Sequence, residues 1–322
     1  MGGRGRAPYL RAVIAVVHHP GYVLPPAVSA NPKANKNALI RDALADCGAV
    51  LEWIEPEAMP LEWLQAVHCP LYVAEVVEAR VPPAKERRIG FSVTPPVAMR
   101  SQLVPGGTFT AALAAKERGF AANTGGGSHH ALYNAGAGYC VFNDLAVAAV
   151  RLVEEGHARR VLVVDCDVHQ GDGTAMLTAG RPDIATFSIH AERNFPARKA
   201  RSTLDVALPD GVGDDEYLAA LERHLVPLLD EFAPDLILYQ AGVDPLADDR
   251  LGRLSLSQEG IDARDRYVAR LARSRAIALA STPGGGYGAD LREIAARHVR
   301  SILTLGAVFS AATLRSRAKA LP

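Results

Sequence analysis

The sequence predicts an α/β fold in which a parallel sheet carries helices on both faces. Short apolar runs recur along the chain, and both sides of each run are apolar, as in strands buried on two faces. Stretches with leucines at helical spacing and capping residues separate these runs. No repeat, low-complexity tract or long linker interrupts the 322 residues. We therefore expect a single domain over residues 1–322.

Five apolar runs are predicted to be strands of this sheet. They are rich in Val, Ile, Leu and Ala, and none of them alternates with polar residues as a half-exposed strand would. They read AVIAVV at 12–17, RVLVVD at 160–165, IATFSI at 184–189, DLILYQ at 235–240 and AIALAS at 276–281.

Four segments between the runs are predicted to be helices, because their apolar residues share one face or because capping residues mark their ends. Asn143 and Asp144 provide an N-terminus for one of them, and Ser257 for another. The segments are 36–46, 143–155, 214–231 and 257–273. Residues 80–108 contain five prolines and a cluster of charges, and we expect an ordered loop there.

The composition indicates a soluble, cytoplasmic protein. Hydrophobic residues make up 49% of the chain, and 35 Lys and Arg balance 35 Asp and Glu. With no net charge and no long basic block, neither nucleic acid nor a membrane surface is an expected partner. The four cysteines are isolated, as in reduced proteins. The apolar stretch at 11–17 is too short for a signal sequence, and no run is long enough to cross a bilayer.

Three acidic residues and a histidine follow the second of these predicted strands, in VLVVDCDVHQGDG at 161–173. Alternation along an extended chain places Asp165, Asp167 and His169 on one side. Carboxylates crowded at a buried strand end repel one another unless a cation lies among them. One Asp and one His of this set would bind a divalent metal together with a third oxygen ligand from a neighbouring loop. Asp172 by itself would equally serve as a helix cap.

Two further loops carry residues suited to proton transfer and to oxyanion binding. His129 and His130 are adjacent in GGGSHHA, where the glycines allow close approach of the backbone to a site. Near a metal, two imidazoles would act as general acid and base, with Asp165 and Asp172 as the carboxylates that orient them. Tyr287 lies among glycines in PGGGYG, after the last predicted strand.

These segments together resemble the histone deacetylase superfamily, and most of all its class IV-like branch and bacterial relatives. The motifs follow the order of the family: GGGSHHA, GYCVFND (138–144), VDCDVHQGDGTA (164–175), FSIH (187–190), NFP (194–196), AGVDPLADDRLG (241–252) and PGGGYG (283–288). The resemblance implies an arginase–deacetylase fold, which is a single α/β domain around an eight-stranded parallel sheet flanked by helices.

The resemblance also implies the roles of individual residues. The metal ligands are Asp167, His169 and Asp249, the last chosen because it stands five residues after Asp244. The catalytic residues are His129, His130, Asp165, Asp172 and Tyr287, with Asp165 holding His129 and Asp172 holding His130. The residues that line an acyl-lysine tunnel are Gly138, Tyr139, Phe195 and Leu256. A structural K⁺ or Na⁺ would be bound by Asp165, Asp167, His169 and Ser188.

The implied activity is hydrolysis of an N-acyl amine, with Zn²⁺ or Fe²⁺ as the metal and an acyl-lysine or another small acylated amine as the substrate. The metal would lower the pKa of its bound water, and Tyr287 would share the oxyanion with it. Three alternatives stay open: an amidohydrolase of acetylpolyamine type, an arginase-like hydrolase with two manganese ions, and a non-catalytic protein that binds acyl-lysine. The sequence does not specify the oligomeric state.

Overall fold

Eight parallel strands form one sheet at the centre of the protein. The computed structural model describes residues 13–24 and 32–318. The strands are β1 Ile14–Val17, β2 Leu51–Ile54, β3 Phe120–Asn123, β4 Val161–Asp165, β5 Ile184–Ala191, β6 Leu204–Leu208, β7 Leu236–Gln240 and β8 Ala278–Thr282. They lie in the order β2-β1-β3-β8-β7-β4-β5-β6, and all neighbours are parallel. The predicted α/β fold is confirmed. Ala12, the start of the first predicted strand, lies outside the described residues.

Helices cover both faces of the sheet within the described residues. They are α1 Pro32–Asp46, α2 Leu61–Val67, α3 Pro70–Val77, α4 Pro83–Ile89, α5 Pro95–Arg118, α6 Asp144–Glu154, α7 Asp172–Leu177, α8 Asp214–Phe232, α9 Gln258–Ser274 and α10 Leu291–Ala318. Two of the predicted caps are present. The side chain of Asn143 accepts a hydrogen bond from the Ala146 amide at the start of α6, and Ser257 accepts one from Gly260 at the start of α9.

Alternating side chains on the central strands contribute to two cores, one on each face of the sheet. On β4, Leu162 and Val164 belong to the core formed with α1, α8, α9 and α10. Val161 and Val163 point the other way, into the core formed with α2 to α6. Each fully buried aliphatic side chain contributes about 1.5–3 kcal/mol to folding, so burial on both faces favours unbroken apolar strands.

The prediction of a loop over residues 80–108 is wrong, because this segment contains α4 and the first half of α5. Pro83 and Pro95 are the first residues of these two helices. Proline is well tolerated in the first turn of a helix, where its missing N–H has no partner to lose. Pro105 lies inside α5. Four of the five prolines therefore lie at helix starts rather than in an irregular segment.

The strand order brings the carboxyl ends of β3, β8, β7 and β4 side by side at the middle of the sheet. Each of these strands is followed by one of the loops with polar residues that the sequence singled out. In open parallel sheets, ligands bind beyond the carboxyl ends of the strands. Four loops that are distant in the chain therefore meet at one site.

Candidate active site

The loops after β4 and β7 bring three metal-ligating side chains together. Asp167, His169 and Asp244 each offer a ligand atom, these atoms lie within 4.8 Å of one another, and all three residues are buried. Nδ1 of His169 lies 2.9 Å from Oδ1 of Asp167 and 3.2 Å from Oδ2 of Asp244. Two carboxylates and one imidazole that leave coordination positions open are a donor set suited to a catalytic divalent metal.

The electrostatics of this group favour a bound cation. Burial, together with the charge of Asp167, raises the pKa of Asp244 to about 7. Burial alone would also raise the pKa of Asp167, but His129 and His169 hold it well below its usual range. Two buried carboxylates that face each other are costly unless a positive charge lies between them. The three residues thus fit a divalent metal.

The prediction of Asp249 as the third metal ligand is wrong, since Asp244 occupies that place in the cluster. Both carboxylate oxygens of Asp249 accept hydrogen bonds from the backbone. Oδ1 accepts from the amides of Leu251 and Gly252, at 2.8 and 3.0 Å. Oδ2 accepts from the amide of Tyr287 at 2.6 Å. Asp249 therefore ties the loop after β7 to the loop that carries Tyr287.

Each histidine of the adjacent pair contacts the carboxylate predicted for it. Nδ1 of His129 lies 2.7 Å from Oδ2 of Asp165, and Nδ1 of His130 lies 2.7 Å from Oδ1 of Asp172. Burial raises the pKa of Asp172 to about 6. In each pair the carboxylate engages Nδ1 and so fixes the orientation of the ring. Nε2 of His129 lies 3.8 Å from Oδ1 of Asp167.

Tyr287 follows the glycines of the loop after β8. The amide of Gly285 donates to Oδ2 of Asp167 at 2.7 Å. This hydrogen bond anchors the loop at the cluster of Asp167, His169 and Asp244. The ring centroid of Tyr287 lies 6.3 Å from that of His169. Burial and the nearby carboxylates, Asp167 first among them, raise the pKa of Tyr287 well above its usual value of 10. The phenol therefore stays protonated and keeps its ability to donate a hydrogen bond.

A cavity of about 310 Å³ opens above the cluster. Gly138, Tyr139 and Phe195, three of the four predicted tunnel residues, line it together with His130, His169 and Tyr287. The Phe195 ring stands edge-on to His130, with centroids 4.7 Å apart. Gly138 has φ +53°, and a Cβ there would approach Cδ2 of His130 to 2.6 Å. A side chain at position 138 would collide with the histidine, so glycine is required.

The prediction that Leu256 lines this tunnel is wrong. Leu256 is fully buried in the core beside α8 and α9, and its amide donates to the carbonyl of Pro245. Leu251, which is 43% exposed, lines the cavity in its place. Both leucines lie in the loop after β7, and the bridge between residues 246 and 256 turns the second one inward.

Ser188, predicted to bind a monovalent cation, lies on β5 next to β4, the strand that precedes Asp167 and His169. Asp165 and Ser188 are register partners on β4 and β5. The Ser188 hydroxyl lies 3.0 Å from Nδ1 of His190, and burial lowers the pKa of that histidine to about 4. Asp165 and Ser188, two of the four members of the predicted cation site, are therefore neighbours in the sheet, and the site itself stays a prediction.

Three buried residues that support the site were not anticipated from the sequence. Asp144 accepts from the amides of Gly127 and Ser128 and so holds the loop before the histidine pair. Gln240 donates to Asp167 at 2.8 Å. Arg264 donates to the carbonyls that follow β4 and β7. The sequence could have indicated Gln240, because this polar residue ends an otherwise apolar predicted strand.

His68 is a structural histidine that makes stability depend on pH. Nδ1 lies 2.9 Å from the Leu132 carbonyl and Nε2 accepts from the Asn143 amide, so the ring is neutral. Burial lowers its pKa to about 4. The unfolded chain binds a proton at this residue below pH 6.5 while the folded protein does not, so stability falls as the pH drops from about 6.5 toward 4.

Replacing His68 by glutamine should flatten this pH dependence. Between pH 7 and pH 5, the wild type should lose about 2 kcal/mol more of its unfolding free energy than the variant, as follows from the lowered pKa. Urea unfolding at the two pH values measures the difference. An equal pH dependence in both proteins would contradict a neutral, buried His68.

None of the helices within the described ranges has the length and apolar character needed to cross a membrane.

Comparisons with known proteins agree with this geometry. The family model of the histone deacetylase domain matches residues 31–303. An uncharacterized protein of Picosynechococcus sp. (strain ATCC 27264 / PCC 7002 / PR-6) is 40% identical over 285 residues, which are 88% of this chain and 95% of that protein. Histone deacetylase 2 of Arabidopsis thaliana is 33% identical over 213 residues, 63% of this chain and 53% of that protein.

A histone deacetylase-like amidohydrolase of Pseudomonas aeruginosa is 33% identical over 151 residues, 44% of this chain and 40% of that protein. The chain thus spans about half or less of the length of these two relatives. The crystal structure of the HDA15 HD domain superposes with a TM-score of 0.75 at 23% identity, over 92% of this chain and 89% of that one, and shows the same fold. With its motifs, its fold and a family model that matches most of its length, the chain belongs to the histone deacetylase family.

Proposed function

We propose that the protein is a metal-dependent hydrolase that removes an acyl group, acetyl above all, from an N-acyl amine such as acyl-lysine. One observation carries the proposal. Two carboxylate-linked histidines and a protonated tyrosine surround the cluster of Asp167, His169 and Asp244 at the floor of an open cavity. The family is one of hydrolytic deacetylases and amidohydrolases. The name of the relative from Pseudomonas aeruginosa supports amide hydrolysis.

The histidines would divide the proton transfers between them. His130 lines the cavity, and Asp172 engages its Nδ1. Its Nε2 is therefore placed to take a proton from water and to return one to the leaving amine. His129 is held by Asp165 and does not line the cavity. It acts as an electrostatic partner for the charge that forms on His130.

Asp167, His169 and Asp244 would hold Zn²⁺, or alternatively Fe²⁺. When bound, such a cation polarises the amide carbonyl and acidifies a water molecule. Tyr287 donates its hydroxyl hydrogen bond to the oxyanion that develops on the carbonyl. Phe195 and Tyr139 line the cavity and would flank the methylene chain of the substrate.

Two further parts of the proposal concern a second cation and the location. Asp165, Asp167, His169 and Ser188 would surround a structural K⁺ or Na⁺ next to the catalytic cluster, as the pairing of β4 with β5 supports. The protein would act in the cytoplasm, since its four cysteines are free and a reducing compartment keeps thiols in that state.

The test is an amide-hydrolysis assay on the purified protein after metal loading. Acetyl-lysine peptides, peptides with longer acyl groups and acetylated polyamines are incubated with it, and the free amine is measured by mass spectrometry. We expect turnover that a chelator abolishes and that Zn²⁺ or Fe²⁺ restores. Binding of acyl-lysine peptides without turnover by the metal-loaded protein would favour the non-catalytic alternative instead.

A further inference from the structure

Two arginines stand at the mouth of the cavity. Arg87 and Arg88 lie in the last turn of α4, both are exposed, and both line the cavity together with Phe195 and Leu251. Among the described residues, no carboxylate lines this cavity. When the amide of a substrate reaches the cluster of Asp167, His169 and Asp244, the end of the amine that is remote from the amide lies beside two positive charges.

The arginines are fixed in this position by the backbone. The amide of Gly138 donates to the Arg88 carbonyl at 3.1 Å, and the amide of Tyr139 donates to the Ile89 carbonyl at 2.8 Å. The end of α4 is thereby joined to the two residues that form a wall of the tunnel. Gly90 packs so closely that a Cβ there would lie 2.9 Å from the Tyr139 ring. The backbone at the end of α4 is thus held against this wall of the tunnel.

Nearby charges of α4 do not neutralise the two arginines. Lys85 pairs with Glu75. Glu86, the acidic residue of this helix, accepts hydrogen bonds from the amide of Val93 and the hydroxyl of Ser92. Neither guanidinium has a hydrogen bond or ion pair within the described part of the chain. Two like charges on consecutive exposed residues favour an anion that approaches both.

We propose that Arg87 and Arg88 select N-acyl amines that carry a carboxylate or phosphate at the end remote from the amide. This inference rests on the proposed hydrolase function and specifies its substrate class. It disfavours acetylated polyamines, whose remote end is cationic. Basic residues in the last turn of a helix also stabilise it through the helix dipole. That effect acts on folding and does not distinguish one substrate from another.

The test compares three linear acetamides that share one chain of methylenes and differ in the terminal group: 6-acetamidohexanoate, N-hexylacetamide and N-acetyl-1,5-diaminopentane. For the wild type, we expect kcat/KM to be about tenfold higher for the carboxylate than for the ammonium compound, the size of effect that about 1.4 kcal/mol produces. The difference should lie in KM rather than kcat, because the charge is remote from the reacting atoms. It should shrink at 0.5 M salt, where exposed charges are screened.

Charge reversal in the Arg87→Glu/Arg88→Glu variant should invert the order of the three amides. The matched control is Arg223→Glu on α8, an exposed arginine that does not line the cavity, and it should keep the wild-type order. Peptides with acetyl-lysine between aspartates or between lysines form a second arm. A preference in this arm alone points to acidic peptides, and a preference among the small amides alone points to free anionic substrates.

The outcomes separate the inference from the proposed function. Equal kcat/KM for all compounds in both arms, or a preference for the cationic ones, overturns the inference and leaves the hydrolase standing. An equal change of order in the Arg223→Glu control also overturns it. If nothing is hydrolysed, ligand-observed NMR of the same amides decides. Selective binding of the anion then supports the inference while the hydrolase proposal falls, and unselective binding or none overturns both.

Discussion

Replacing Asp244 by alanine should remove both the bound metal and the turnover. Its carboxylate is buried beside His169 and Asp167 and supplies one of the three ligand atoms of the cluster. Loss of an outer-shell partner typically costs about 10–100-fold in metal affinity or activity, and loss of a ligand should exceed that. Elemental analysis of the purified variant should show little metal, and deacylation should fall below detection, while circular dichroism shows a folded protein.

The matched variant is Asp249→Ala, in the same loop. It removes the hydrogen bonds to the amides of Leu251, Gly252 and Tyr287 but no metal ligand. We expect the metal content to stay at the wild-type level and the turnover to fall through displacement of Tyr287. If Asp249→Ala loses the metal while Asp244→Ala keeps it, the ligand set derived from the structure is incorrect.

The Tyr287→Phe variant should fold, keep its metal and lose about 10²–10³ in kcat, or about 2.7–4 kcal/mol of transition-state stabilisation. The variant lacks only the hydroxyl that donates to the oxyanion, so KM should change little. Steady-state kinetics with an acetyl-lysine peptide measure the change.

Tyr133→Phe is the control for the loss of a phenol hydroxyl. Tyr133 lies a few residues after the histidine pair and is 54% exposed, outside the residues that line the cavity. Its variant should retain full turnover. Comparable losses in the two variants, or normal kinetics of Tyr287→Phe, would remove the proposed oxyanion role of Tyr287.

The strands with continuous apolar runs, β1, β4, β5, β7 and β8, were predictable from the sequence, and β2, β3 and β6 were not. β4, β5, β7 and β8 are buried on both faces, which requires the continuous apolar runs that were recognised. β2 and β6 lie at the two edges of the sheet, where exposed positions allow Glu52 and Asp205 within the strand. β3 has four residues, FAAN, with no β-branched side chain. Such strands are defined by pairing with a neighbour rather than by their own composition.

The helices in the proline-rich segment 80–108 were also not predictable from the sequence. A proline at the start of a helix favours it, whereas a proline in the middle removes a backbone hydrogen bond but is tolerated at Pro105 in α5. The sequence gives the number of prolines but not their position relative to a helix that has yet to form. Ile89 at the end of α4 and Val97 near the start of α5 pack into the core with α2, α3 and α6, and these tertiary contacts are not readable from the sequence.

The residue types and the order of the motifs were enough to predict the family, the two histidine–carboxylate pairs and two of the three residues in the cluster of Asp167, His169 and Asp244. Which aspartate of the loop after β7 completes the cluster, and which leucine lines the cavity, depended on the path of that loop in three dimensions. Asp244 and Asp249 are chemically identical in the sequence. They differ only because the folded backbone turns the amides of Leu251, Gly252 and Tyr287 toward one carboxylate and leaves the other facing His169.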